Sequence, residues 1–137
     1  MKSCVYTDSM IYSPNIPVFR NGDGKLISTP KYVTFITSPA VNTGIVLRRE
    51  SKSEEDIKQL MTMRIRKLLA LSLEKDHETL ILGAWGCGVF QNDPKVIAEL
   101  FHNELNGDFK NCFKHITFAI YSRNEKFINA FNKRFYD

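Results

Sequence analysis

The sequence has little with which to hold a metal or form a cross-link. Three cysteines, Cys4, Cys87 and Cys112, and three histidines, His77, His102 and His115, are scattered over 137 residues. No cysteine pair has C-x-x-C spacing, so neither a zinc site nor a disulfide framework is signalled. No metal site and no cofactor are expected. Long apolar runs are also missing: nothing approaches the roughly 18 residues of a membrane span. The start, Met1-Lys-Ser-Cys-Val-Tyr-Thr-Asp8, lacks the apolar stretch of a signal peptide. A reducing, cytoplasmic setting without a membrane partner is the expectation. Neither sign of charge dominates, since 19 basic and 15 acidic residues leave a net charge of +4. That balance suits a phosphorylated ligand and does not call for nucleic acid, so no nucleic-acid partner is expected. There is no internal repeat and no low-complexity segment.

What is present is enough apolar content, 43%, for one ordinary core. Ser13-Pro14 and Ile16-Pro17 hold the early chain extended. Asn21-Gly-Asp-Gly24 is the strongest turn signal and predicts a small hairpin over residues 16–28. Tyr32-Val-Thr-Phe-Ile-Thr37 reads as a buried strand, followed by a loop through Ala40–Gly44. Ser53 with Glu54, Glu55 and Asp56 opens a helix in which acidic residues suit the positive end of the dipole. Its apolar stripe runs through Ile57, Leu60, Met61, Ile65, Leu68 and Leu69. Thr79–Leu82 is a strand. Asn92 or Asp93 caps a helix with Pro94 in its first turn and a buried face of Val96, Ile97, Leu100, Phe101 and Leu105. His115–Tyr121 is a further strand, and Asn124 caps a last helix. From residue 32 the order is β-α-β-α-β-α. This argues for an α/β fold with a mostly parallel sheet.

The chemistry concentrates in Leu80-Ile-Leu-Gly-Ala-Trp-Gly-Cys-Gly-Val-Phe-Gln-Asn-Asp-Pro94, where a strand runs through a glycine-rich turn into a helix start. Gly83, Gly86 and Gly88 allow close backbone approach, and such a turn can cradle a phosphate with its N–H groups. The spacing is neither that of a dinucleotide fingerprint nor that of a Walker loop. A tight strand-to-helix connection explains it equally well. Trp85 and Phe90 either stack on a sugar or base, or pack in the core. Cys87 lies near a helix start that lowers thiol pKa values, but no histidine is close in sequence to act as its base. Asn42, just past a strand end, either hydrogen-bonds a ribose or base edge, or simply forms a turn. Tyr121, Ser122 and Arg123 follow the later strand at the same expected edge.

Three stretches occur in order: Tyr12-Ser-Pro-Asn-Ile-Pro-Val-Phe-Arg20, Ile36-Thr-Ser-Pro-Ala40 with Asn42, and Gly83-Ala-Trp-Gly-Cys-Gly-Val-Phe90 with Asn92-Asp-Pro94. Together they resemble the C-terminal part of the microbial-type poly(ADP-ribose) glycohydrolases, which are macrodomain proteins. The resemblance implies a partial macrodomain-like α/β/α sandwich that binds ADP-ribose at the C-terminal edge of its sheet. It implies that Gly86, Cys87, Gly88 and Val89 wrap the diphosphate and that Phe90 packs near the distal ribose. ADP-ribose or an ADP-ribosylated protein is then the partner.

The chain departs from that family in lacking the glycine triplet and Gln-Glu-Glu run of its catalytic loop. Glu54-Glu55 does not replace it, because no glycine loop precedes it and it follows the Ser-Pro-Ala motif. Cleavage of a ribosyl bond needs a positioned carboxylic acid, and none is visible, so no catalytic residue is assigned. The expected organisation is a single truncated domain over 1–137, with an extended or hairpin segment at 1–31 and β-α repeats at 32–137. Half a sheet exposes a strand edge and apolar faces, to be covered by the 1–31 segment itself, by an N-terminal partner chain or by self-association. The leading expectation is an ADP-ribose-binding module that is not catalytic alone. The alternatives are a glycohydrolase half that acts within a split protein or one read from too late a start, and a non-binding remnant.

Overall fold

Asn21 closes the first element of the fold. Its side-chain oxygen accepts from the N–H groups of Asp23 (3.1 Å) and Lys25 (2.9 Å), and Gly24 takes φ +77°. An asparagine bonding the backbone ahead of it, with glycine in the left-handed region, is a strong hairpin device. In this computed structural model, which describes residues 3–136, the turn joins β1 (Ile11–Arg20) to β2 (Leu26–Thr37). The strands run antiparallel from Ile11 opposite Thr37 to Arg20 opposite Leu26, with irregularities between Ser13 and Ile16 and between Val18 and Arg20.

The hairpin expected at 16–28 is therefore the tip of a longer one. The run Tyr32–Thr37 belongs to it and not to a parallel sheet, and Tyr32 and Phe35 are exposed. Its β-branched and aromatic residues do favour a strand, but that preference does not choose the partner, and the nearby turn supplied one. Thr7–Pro39 forms one compact unit. Residues 3–6 and 40–136 form the other.

In that second unit, α1 (Thr43–Arg49) is a short helix where the sequence suggested a loop, with Asn42 as its cap. Gly44 and three β-branched residues, Thr43, Ile45 and Val46, hide so short a helix from any periodic pattern. At α2 (Glu54–Glu74), Ser53 and Asp56 make a reciprocal capping box, a feature worth about 1 kcal/mol. The acidic cluster there serves the helix start as expected. β3 (Thr79–Leu82) pairs in parallel with β4 (His115–Phe118), from Thr79 opposite His115 to Leu82 opposite Phe118. Between them runs α3 (Pro94–Asn106), and α4 (Glu125–Phe135) follows β4. The mixed α/β class is as expected; among the described residues parallel pairing is confined to these two strands, and the hairpin is antiparallel.

The core lies where the apolar stripes placed it. Ile57, Met61, Ile65 and Leu69 of α2 are buried, as are Ile97, Leu100 and Phe101 of α3 and Ala130 and Phe131 of α4. Phe118 of β4 packs edge-on to Phe101 with centroids 5.4 Å apart, and lies 4.9 Å from Phe131. Arg66 of α2 bridges to Glu104 of α3 at 2.7 Å and also to Asp108. Among the described residues no helix is long and apolar enough to cross a membrane.

Candidate functional site

Parallel pairing brings the C-terminal ends of β3 and β4 side by side, and the loops that leave them share one edge. Ala119 donates its N–H to the carbonyl of Leu82 at 2.7 Å, so the chain after β4 starts beside Gly83. Ligands of open α/β sheets bind outside this end of the strands. The glycine loop, residues 83–93, leaves β3 here.

Internal bonds set the shape of the loop. Trp85 N–H donates to Gly83 (2.8 Å), Cys87 N–H to Ala84 (3.1 Å), Gln91 N–H to Gly88 (3.0 Å) and Asn92 N–H to Gly86 (3.1 Å). Gly86 takes φ +75°, and a Cβ there would lie 2.5 Å from Asn92 Nδ2 and 2.6 Å from Ala40 Cβ. Glycine is thus required at position 86 by both conformation and space. At Gly88 an added Cβ meets nothing within 4 Å, and Val89 beside it is 89% exposed. Among the described residues, the N–H groups of Gly86, Gly88, Val89 and Phe90 have no protein acceptor. The crest of the loop is therefore open, glycine-rich and supplied with backbone donors, the chemistry of an anion cradle.

The sequence pointed to two further features, and each is used differently. The start of α3 is capped by the carboxylate of Asp93, which accepts from Lys95 N–H at 2.8 Å. That negative charge occupies the positive end of the helix dipole, so attraction for an anion rests on the loop amides. Cys87 is buried, its thiol directed to the Trp85 carbonyl at 3.8 Å. Burial, and next the charge of Asp93, push its pKa up to about 12. The lowering expected from a helix start is reversed, and a thiol so protonated is a poor nucleophile.

Asn42 is buried, and its side-chain oxygen accepts from Ile45 N–H at 3.3 Å. Its Nδ2 has no acceptor among the described residues. Trp85 and Phe90 are partly buried against the core, while Tyr121 is fully exposed. Ser122 Oγ accepts from the N–H of Asn124, the cap of α4.

Two residues that hold the site together carried no clear signal. Asn92 Nδ2 donates to the carbonyls of Val41 (2.9 Å) and Gly86 (3.1 Å), and its oxygen accepts from Thr43 Oγ1 at 2.9 Å. The sequence offered Asn92 as an alternative helix cap and as part of the Asn92-Asp-Pro94 stretch, with no hint of these bonds. Tyr6 stacks on Phe90 with centroids 5.7 Å apart and planes 22° from parallel. Tyr6 carries no local signal in the sequence.

No protein-family model and no curated protein sequence matches the chain. Solved structures do. Poly(ADP-ribose) glycohydrolase from Deinococcus radiodurans, in complex with ADP-ribose, is 36% identical, with a TM-score of 0.92 over 96% of this chain and 54% of that one. The same enzyme in apo form gives 0.91 over 96% and 55%. Poly(ADP-ribose) glycohydrolase from Thermomonospora curvata is 39% identical, with a TM-score of 0.91 over 97% of this chain and 49% of that one. The chain spans about half the length of each of these structures. In fold and sequence together, it is a part-length relative of the poly(ADP-ribose) glycohydrolases.

Proposed function

We propose that the chain binds ADP-ribose, free or attached to protein, with the diphosphate on the loop from Gly86 to Phe90. The observation that carries this reading is the group of loop amides, those of Gly86, Gly88, Val89 and Phe90, without protein acceptors among the described residues, together with the open space at Gly88. The ADP-ribose complex of the Deinococcus radiodurans relative supports the choice of ligand. In this reading Gly86, Gly88 and Val89 offer N–H groups to the diphosphate. Cys87 contributes shape, because its own N–H already serves Ala84. Phe90 lines the ribose end, and Asn42 offers its free Nδ2. Both compact units act as parts of one macrodomain-like domain in the cytoplasm, where the three free cysteines stay reduced. Titration calorimetry of the purified chain with ADP-ribose tests the proposal. Heat with a single-site isotherm is expected, and no heat at millimolar ligand would sink it.

A second reading, hydrolysis of ADP-ribosyl bonds when a complementary chain is present, is favoured by one observation on the hairpin. Cross-strand pairing puts Ile11, Ile16, Val18, Val33 and Phe35 on a common face, and all five are exposed. A two-stranded hairpin with an uncovered apolar face is marginal in water and calls for a partner surface. Release of ADP-ribose from modified protein is measured with this chain alone and after adding the part of a relative that it does not span. Activity that appears only in the mixture supports this reading, and none in either sample removes it.

A further inference from the structure

A cleft of about 210 Å³ lies among α1, α2 and the start of α3. Its lining includes Ile57 and Met61 of α2 and Ile97 and Leu100 of α3, all four buried. Half-buried Val96 and exposed Leu47 extend the apolar wall. Neither Asn42 nor any residue from Gly86 to Phe90 lines it, so it is distinct from the candidate site. Helices packed to ordinary density leave few spaces larger than a water molecule. An apolar cleft with a few polar groups at its rim has the make-up of a small-molecule pocket.

Two of its lining side chains also hold the candidate site together. Met61 Sδ accepts from the Val41 N–H at 3.4 Å, and Asn92 Nδ2 donates to the Val41 carbonyl at 2.9 Å. The residue beside Asn42 is thus bonded through both its backbone groups to the lining of the cleft. Asn92 also bonds the Gly86 carbonyl. A molecule in the cleft therefore touches the side chains that fix the glycine loop and the Asn42 segment.

The rim decides what class of molecule fits. Glu54 and Asp93 bring two carboxylates, and Lys58 brings an ammonium. Glu54 opens α2 and Asp93 caps α3, so the positive ends of two helix dipoles add to the ammonium. These signs offset one another, and neither a cation nor an anion gains by entering. Gln91 adds a neutral amide that has no protein partner among the described residues and can both donate and accept. A cavity of about 150 Å³ lined by such apolar side chains takes benzene. The larger cleft has room for a second fused ring.

We propose that the cleft is a second binding site, for a small uncharged aromatic molecule with one polar edge, and that its occupation is felt at the glycine loop through Asn92 and Met61. The site stands whichever ligand the glycine loop takes.

Indole is the probe, with tryptamine and indole-3-acetate as its charged counterparts. The full chain carries 15N and 13C-methyl methionine, and the Met61 signal is identified among four methionines by its loss in Met61→Leu. Indole is expected to move the Met61 methyl signal and the Gly86 and Gly88 amide signals along one saturating curve. It should bind about threefold or more tightly than either charged counterpart. Val96→Phe and Leu47→Phe each add bulk at a position that is not fully buried, and each should weaken indole binding about tenfold. An unmoved Met61 signal, a shift that does not saturate, charged probes that bind as tightly, or undiminished binding by both variants overturns the proposed site. A saturating Met61 shift with stationary Gly86 and Gly88 amides overturns the link to the loop.

Discussion

Asn92 Nδ2 donates to the Val41 carbonyl at 2.9 Å, joining positions 51 apart in sequence. The same amide nitrogen bonds Gly86, and the amide oxygen accepts from Thr43. One side chain therefore fixes the glycine loop to the segment that carries Asn42, and the two halves of the candidate site keep their spacing through it.

Asn92→Ala leaves two carbonyls and a hydroxyl without their partner at a buried position. A loss of about 2–3 kcal/mol is expected, because each orphaned buried group costs about 1–3 kcal/mol and some regain water. Asn92→Asp is expected to be no better: it keeps the size but sets carboxylate oxygen against carbonyl oxygen. Urea unfolding of the two variants checks this. A loss under about 0.5 kcal/mol for both would mean that the loop holds its shape without the amide.

Gly86 and Gly88 are two residues apart in sequence and opposite in demand. Gly86→Ala forces a Cβ against Asn92 and Ala40 at φ +75°, and about 1–3 kcal/mol of stability should be lost. Gly88→Ala meets open space and is expected to fall within about 0.5 kcal/mol of the parent. Gly88→Glu should likewise fold, but with a carboxylate beside the loop amides it should lose ADP-ribose binding. Melting curves and calorimetry on the three variants separate these outcomes. Equal destabilisation by the two alanines would contradict the loop geometry.

The helices were legible because their signals are local. Ser53 ahead of Asp56, Pro94 after Asp93 and Asn124 before Phe127 each mark a helix start, and the stripes through Ile57 to Leu69 and Val96 to Leu105 report their own burial. Strand partners were less legible. Tyr32–Thr37 has the composition of a strand in any sheet, and only the distant register with Ile11–Val18 decides which one. At the site, the open crest around Gly88 followed from glycine spacing. The state of Cys87 did not, because burial is a property of the packed chain and outweighed the helix start that the sequence shows. Tyr6 was invisible for a similar reason: its carbonyl is held by Arg64, 58 positions away.

Glu50 carries the acid sensitivity of the segment before Tyr6. Its carboxyl is held below its ordinary value of 4.5, first by the Cys4 N–H and then by the Ser3 hydroxyl. A carboxyl whose pKa falls on folding stabilises the folded chain fully above the unfolded value. That stabilisation is lost as pH drops through the lower folded value. The parent chain should therefore lose stability below about pH 4.5, and Glu50→Gln should lose less over the same range. Thermal melts from pH 6 to pH 3 compare them. Identical acid profiles would show that Glu50 does not anchor the segment.

Cys87 gives the last prediction, and it runs against the usual reading of a cysteine in a glycine loop. With its pKa at about 12, the thiolate is only about one part in ten thousand at pH 8. The thiol is also buried, while Cys4 and Cys112 are partly exposed. Iodoacetamide at pH 8 should modify Cys4 and Cys112 first and reach Cys87 only when the chain unfolds, as read by peptide mass spectrometry. Cys87→Ala removes a buried sulfur and should cost about 1 kcal/mol. It should leave affinity for ADP-ribose within about twofold, since the residue's N–H already serves Ala84 and its side chain is buried. A Cys87 that reacts as fast as the other two in the folded chain would place the thiol at the loop surface and restore it as a candidate nucleophile.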